Sequence, residues 1–158
     1  MRLTLYTDYS LRVLIYLGIK EDRFATISEI ASRYDISRNH IMKVVYGLAQ
    51  GEYIRTVRGK KGGMYLQRAP ESINIGTLIR HTEQDLTLVE CFAPDNRCAI
   101  THGCELKRIL GDALQAFFAE LDRYTLADLL TTGDAMRQLL GLDGVPVQWA
   151  EKRQARQG

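Results

Sequence analysis

The chain has 158 residues, of which 46% are apolar and 25% charged, and this is an ordinary composition for a soluble protein. No apolar run approaches the roughly 20 residues that a membrane span needs, and the N-terminus lacks the cleavage site of a signal peptide. We therefore expect a cytoplasmic protein with no membrane partner. Residues 1–70 carry 12 Lys and Arg against 6 Asp and Glu, so the first half has the charge needed to approach a polyanion.

Two short helices are predicted near the N-terminus. Apolar residues recur at helical spacing over residues 7–18, where Thr7 or Asp8 can act as the N-cap. The second helix opens at Thr26, and Glu29 three residues later completes a capping-box pattern.

A third helix is predicted after a tight turn, with Ser37 as its N-cap and Gly51 as its stop signal. A short helix, a turn and a second helix with an exposed basic end form a helix-turn-helix, whose second helix enters the major groove of DNA. The alternative is a solvated charged face. The residues that we expect to read or flank bases are Arg38, Asn39, His40 and Lys43.

A β-hairpin is predicted directly after this helix. Strand-like runs at residues 53–57 and 64–66 flank the basic, glycine-rich turn RGKKGG. Together with the preceding helices, the hairpin predicts a winged helix-turn-helix, although such a turn could also be merely solvated. The residues of this wing that we expect to contact phosphates or the minor groove are Arg55, Arg58, Lys60 and Lys61.

All three cysteines lie in one segment, with six residues between Cys91 and Cys98 and five between Cys98 and Cys104. An odd number of cysteines in a reducing compartment argues against a disulfide framework. Thiolates bind iron–sulfur clusters and soft metals. Zinc could take His102 as a fourth ligand, although the spacing lacks the short CxxC pattern. A nucleophilic cysteine with a histidine base, or three unrelated thiols, are further alternatives.

A long amphipathic helix is predicted over about residues 104–124. A helix of about 20 residues is roughly 30 Å long, too long for one small winged domain to cover, so we expect a second subunit to cover it. The alternative is that it folds back on its own domain. A short helix capped by Thr125 and Asp128 follows. The apolar stripe comprises Leu106, Ile109, Leu110, Ala113, Leu114, Phe117, Phe118 and Leu121.

The winged helix, the RGKKGG turn, the cysteine triplet and the following long helix together resemble the iron–sulfur repressor family over roughly residues 1–132. The stretches LTLYTDYSLRVLIYL and TLVECF are most similar to its nitric-oxide-sensing branch. The resemblance implies a mainly α fold with a β-hairpin wing, and a non-enzymatic, homodimeric repressor. In such proteins nitric oxide attacks the cluster and operator DNA is released.

The resemblance also implies a ligand set. One cluster per subunit, 4Fe–4S favoured and 2Fe–2S possible, would be held by Cys91, Cys98 and Cys104. In the nitric-oxide-sensing branch the fourth ligand is an aspartate in the first helix of the partner subunit, and Asp8 occupies that place here. The cluster-assembly branch uses a histidine after the third cysteine, and the stretch GCELKRI has none.

The expected organisation is a winged helix-turn-helix DNA-binding domain at residues 1–85, a cluster-binding loop at 86–104, a dimerisation helix with a short following helix at 105–132, and a flexible tail at 133–158. The rival functions are a redox or thiol regulator of the same fold that responds to cluster status or oxidants, and a zinc-binding regulator. An enzyme or electron carrier is a third rival, but the sequence has no dinucleotide fingerprint and no acid–base pair to support it.

Overall fold

The computed structural model describes residues 2–20, 24–59 and 62–142. It is mainly helical with one two-stranded antiparallel sheet, as the sequence predicts. The helices are α1 (Leu5–Lys20), α2 (Ile27–Tyr34), α3 (Arg38–Gln50), α4 (Ile75–Thr82), α5 (Glu105–Leu121), α6 (Leu126–Leu129) and α7 (Gly133–Leu139). The strands are β1 (Ile54–Val57) and β2 (Gly63–Leu66), and 3₁₀ turns cover Pro70–Ser72, Glu90–Phe92 and Thr101–Gly103.

Helix α1 lies at the centre of the fold. It packs against α3 and β2, and also against α4, α6 and α7. Its side chains Val13, Leu14 and Tyr16 are fully buried. Because elements from both ends of the chain bury their apolar faces on this one helix, α1 joins the N-terminal half of the domain to the C-terminal half.

The start of α1 differs from the sequence prediction. The helix begins at Leu5, so Thr4 and not Thr7 or Asp8 is the N-cap. The backbone N–H of Thr7 donates to Thr4 Oγ1 at 3.2 Å, and that of Asp8 donates to the Thr4 carbonyl at 3.1 Å. Asp8 therefore lies inside the first turn, where its side chain is free of a capping role.

A glutamate distant in sequence completes this cap. The backbone N–H and hydroxyl of Thr4 both donate to Glu83 Oε1, at 2.8 and 3.2 Å. The hydroxyl of Thr7 donates to Thr82 Oγ1 at 2.9 Å. In a capping box the glutamate lies three residues after the cap, whereas Glu83 lies 79 residues away. The start of α1 is thus tied to the end of α4, at Thr82 and Glu83, from which the chain continues to the cysteine segment.

Helix α2 begins with the predicted capping box. Thr26 Oγ1 accepts from the Glu29 N–H at 3.2 Å, and the Glu29 carboxylate accepts from the Thr26 N–H at 3.4 Å. The same carboxylate accepts from the Tyr16 hydroxyl at 2.7 Å and pairs with Lys20. Burial opposes ionisation of Glu29, but hydrogen bonds from Lys20 and Tyr16 lower its pKa below the ordinary value. The cap of α2 is therefore also a link to α1.

The predicted hairpin forms, and it is anchored to the segment before α2. In the sheet Ile54 pairs with Leu66 and Val57 with Gly63. Two backbone hydrogen bonds between Ala25 and Met64, at 2.8 and 3.0 Å, form an isolated β-bridge that attaches the chain before α2 to strand β2. Lys60 and Lys61 lie outside the described residues.

Helix α5 forms as predicted but shares little of its surface with its own domain. Phe118 is the one buried side chain of this helix, whereas Leu106 is 59% and Ile109 is 52% exposed. A double hydrogen bond from Arg80 of α4 to the Asp122 carboxylate, 2.7 Å for each pair of atoms, fixes its C-terminal end. This hydrogen bonding lowers the pKa of Asp122. Leu114, Phe117 and Leu121 also pack toward this end, whereas the N-terminal half of the helix is mostly exposed.

The structure differs from the flexible tail expected from residue 133. Helix α7 packs on α1, with Arg137 only 5% exposed and Leu142 only 6% exposed. Arg137 Nη1 donates to the Ile19 carbonyl at 2.7 Å, one of the last carbonyls of α1 that lack a partner within the helix. Residues 133–142 thus belong to the folded domain, while 143–158 lie outside the described residues. Within the described part, no helix is long and apolar enough to cross a bilayer.

We predict that Arg137→Met lowers the free energy of unfolding by about 1.5–3 kcal/mol, because it removes a charged donor from a buried carbonyl. The matched control is Arg123→Met, since that side chain is 69% exposed and should change stability by less than about 0.5 kcal/mol. Urea unfolding of both variants measures the difference. Equal stabilities would contradict the assignment of α7 to the folded core.

Candidate nucleic-acid interface and cysteine segment

Helix α3 presents one polar and one apolar face, with the orientation that the sequence predicts. Its N-terminus is capped by Ser37, whose Oγ accepts from the His40 N–H at 3.3 Å. The inward residues Ile41, Val44, Val45 and Leu48 are at most 6% exposed. The predicted base-reading residues are all exposed: Arg38, Asn39, His40 and Lys43.

Two large side chains that the sequence analysis did not single out share this exposed face. Met42 is 53% and Tyr46 is 68% exposed. They lie three and seven residues after Asn39, and this spacing places all three on one side of a helix. Continuing the helical period from the polar residues would have found them.

The wing is held at a fixed position relative to α3. Arg68, just after β2, donates to the carbonyls of Gly51 and Glu52 at 2.8 and 3.0 Å. Its guanidinium also lies 4.6 Å from the ring centroid of Tyr53. These contacts fasten the base of the hairpin to the end of α3, so the exposed Arg55 and Arg58 lie on an element joined rigidly to α3.

Helix α1 contacts α3 near both ends of its polar face. The Tyr9 and His40 rings lie 5.9 Å apart. At Gly47 the α1 residue Tyr6 approaches so closely that a Cβ would overlap the Tyr6 hydroxyl. Such close packing leaves little room for α1 and α3 to move independently.

Asp8 lies on the accessible side of α1. Its carboxylate accepts two hydrogen bonds from Arg12, at 3.1 and 2.8 Å, and its side chain is 41% exposed. The Arg12 guanidinium in turn lies 5.8 and 5.9 Å from the rings of Tyr9 and Tyr34. The carboxylate is therefore within reach of a second molecule.

The cysteine segment is irregular and is held by its own side chains. The Thr101 hydroxyl lies within hydrogen-bond distance of Asn96 Oδ1 and the Cys98 carbonyl, at 2.8 and 2.9 Å. The backbone N–H of Arg97 donates to Glu90 at 3.1 Å. All three cysteines are free and half-buried. They remain available as thiol ligands without first breaking a disulfide.

The three thiols fit an iron–sulfur cluster in their chemistry, and they leave one ligand position to another group. Three thiols on one segment supply three of the four ligands that such clusters commonly take. Among residues 2–20, 24–59 and 62–142 no three His, Cys, Asp or Glu side chains are gathered as a metal site. The segment would therefore have to close around a cluster, and a fourth ligand would be needed besides the three thiols.

Comparison with known proteins agrees with this architecture. A family model described as "Rrf2: Iron-dependent Transcriptional regulator" matches residues 3–132. The HTH-type transcriptional regulator NsrR of Bacillus licheniformis is 51% identical over 142 residues, which cover 89% of this chain and 99% of that protein.

Two solved structures share the fold. One is CymR of B. subtilis, described as its global cysteine regulator, with a TM-score of 0.64 and 25% identity over 84% of this chain and 98% of that one. The other is T. potens IscR, with a TM-score of 0.65 and 22% identity over 84% of this chain and 88% of that one. The matching family and NsrR are both described as transcriptional regulators, and neither description is that of an enzyme. The chain belongs to the Rrf2 family of transcriptional regulators.

Proposed function

We propose that this DNA-binding regulator is a homodimeric repressor whose operator binding depends on an iron–sulfur cluster, and that nitric oxide releases the operator. The observation that carries the proposal is the set of three free, half-buried thiols on one segment between the winged domain and helix α5. The similarity to NsrR and to an iron-dependent family supports it.

In this proposal Cys91, Cys98 and Cys104 hold the cluster, one per subunit, and Asp8 of the partner subunit supplies the fourth ligand. The bound iron would supply a site where nitric oxide can bind. Asp8 must leave Arg12 at least in part to act as a ligand. An exposed ion pair of this kind contributes only about 0.3–0.5 kcal/mol, so little stability is lost when it opens.

The proposed DNA contacts follow from exposure and charge. Helix α3 contains no acidic residue, and its polar N-terminal face is exposed beside the wing. Arg38, Asn39, His40 and Lys43 would read or flank bases, as in other helix-turn-helix proteins. Arg55, Arg58, Lys60 and Lys61 would serve the wing, and the first two are exposed.

The proposed coupling runs through α1. That helix carries Asp8 on its accessible side and contacts α3 through Tyr6 and Tyr9. If Asp8 engages the partner subunit, α1 fixes the position of each recognition helix relative to the other. A dimer that reads half-sites one helical turn apart tolerates little change in that spacing, so release of Asp8 would weaken operator binding.

We expect the protein purified without oxygen to be brown, to contain iron, and to lose operator binding on treatment with nitric oxide. Visible absorbance, iron analysis and fluorescence anisotropy with operator DNA measure the three properties. A brown protein whose DNA affinity is unchanged by nitric oxide would remove the sensing role. A colourless protein with stoichiometric zinc would favour a zinc regulator that uses His102.

Replacing Asp8 with Ala is expected to leave the fold intact but to loosen the cluster, because one ligand is lost. Faster loss of visible absorbance to a chelator, or a changed rate of reaction with nitric oxide, would show this. Asp112→Ala is the matched control, since Asp112 is an exposed aspartate that also pairs with an arginine four residues away. A variant that matches the wild type in both spectrum and nitric-oxide response would exclude Asp8 as a ligand.

Ile109→Glu is expected to convert the dimer into a monomer, because it places a charge in the exposed apolar stripe of α5. Light scattering should then give about 18.0 kDa in place of twice that mass. Gln115→Glu is the control, since it adds the same charge on the opposite side of the helix, about 180° around the axis from Leu106. If Ile109→Glu remains dimeric, the α5 stripe is not the interface.

A further inference from the structure

The exposed face of α3 has an apolar component that the proposed polar contacts do not use. Met42 is 53% exposed and Tyr46 is 68% exposed. Within the described part of the chain, the Tyr46 hydroxyl has no hydrogen-bond partner and its ring has no aromatic or cationic neighbour. The exposed parts of this thioether and this aromatic ring do not pack in the core. Both are therefore open to contact by another molecule.

Met42 occupies a position suited to base contact. It lies five residues after the N-cap Ser37, about 7.5 Å along the axis, in the half of a recognition helix that reaches base edges. Asn39 precedes it by three residues and Lys43 follows it directly, and both are exposed. A side chain between two such groups enters the major groove wherever they do.

The chemistry of Met42 selects one feature of that groove. Among the groups displayed there, the 5-methyl of thymine is the apolar one, and apolar side chains recognise it by contact. Methionine is unbranched and polarizable, and it adapts its shape to such a surface. A guanine or cytosine edge would instead leave polar atoms facing the thioether.

A second protein copy is a poorer occupant of this face. Helix α3 has no acidic residue, it exposes Arg38 and Lys43 beside the two apolar side chains in sequence, and the wing that follows it exposes Arg55 and Arg58. Two such faces would repel each other, whereas a polyanion matches them in charge. The face therefore fits DNA.

We propose that Met42 reads the methyl group of one thymine in each operator half-site, and that Tyr46, one turn further, lies against the sugar–phosphate wall. Tyrosine hydroxyls commonly donate to phosphate oxygens. Met42 is then a specificity-determining residue and Tyr46 a positioning residue. The inference rests on the proposed use of α3 as the recognition helix and adds the base that it selects.

The test uses the tightest-binding duplex selected from a random library by the full-length, iron-loaded wild-type protein. Each thymine is replaced in turn by deoxyuridine, which lacks only the methyl group. At one position per half-site the wild type should lose about fourfold in affinity, the scale expected for burying one methyl group. Met42→Ala should bind the thymine duplex more weakly and show no further loss with deoxyuridine at that position.

Two further variants separate the apolar contact of Met42 with a base from the phosphate contact of Tyr46. Met42→Leu keeps an apolar side chain and should retain most of the thymine preference. Tyr46→Phe should weaken binding to both duplexes equally, because it removes a phosphate contact and no base contact. Circular dichroism confirms that each variant is folded.

The inference is overturned if Met42→Ala keeps the wild-type loss at every deoxyuridine position, or if the wild type shows no loss at any. Failure of the proposed function looks different. In that case no duplex is selected, or the selected duplex is not released by nitric oxide. A selected duplex that nitric oxide releases, with methyl sensitivity unchanged in Met42→Ala, overturns the Met42 assignment alone.

Discussion

Helix α1 packs against α3, α4, α6 and α7, and the folded domain depends on this packing. The side chains of Val13, Leu14 and Tyr16 are excluded from solvent, and α3 approaches so closely that a Cβ at position 47 would overlap the Tyr6 hydroxyl, so Tyr6 would have to shift. Interiors of this density transmit displacement and do not absorb it. A force applied to α1 therefore reaches the exposed polar face of α3 through direct contact.

The buried contacts of α1 and its exposed ion pair contribute very different free energies to stability. Truncating a buried leucine such as Leu14 typically costs about 2–5 kcal/mol, whereas an exposed ion pair such as Asp8–Arg12 contributes about 0.3–0.5 kcal/mol. Changing the partner of Asp8 therefore cannot unfold the domain. In the mechanism we propose, it would shift α1 and the elements packed on it as a body, and this is the kind of small, reversible change that a regulator needs.

Local signals predicted well those elements whose partners are near in sequence. The capping box of Thr26 and Glu29, the Ser37 cap and the glycine-rich hairpin all involve residues a few positions apart. Prediction failed where the partner is remote. Thr4 caps α1 with the help of Glu83, and Arg137 reaches the carbonyl of Ile19 118 residues away, and no local pattern records either contact.

The candidate site shows the same division. The sequence placed three thiols in one segment and a polar face on α3, and the structure agrees with both. How the thiols gather around a metal is not encoded in one chain if the last ligand belongs to a second copy. The exposure of Met42 and Tyr46 was missed because apolar residues in an amphipathic helix are ordinarily assigned to the buried face.

The contact of α7 with α1 has a consequence for where the protein can be divided. The family match ends at residue 132, but the hydrophobic core continues to Leu142, which is 6% exposed and belongs to the main core cluster. A fragment cut at the family boundary would leave the last turn of α1 open to water. Shortened forms meant for crystallisation or for domain exchange with relatives should therefore keep the segment up to residue 142.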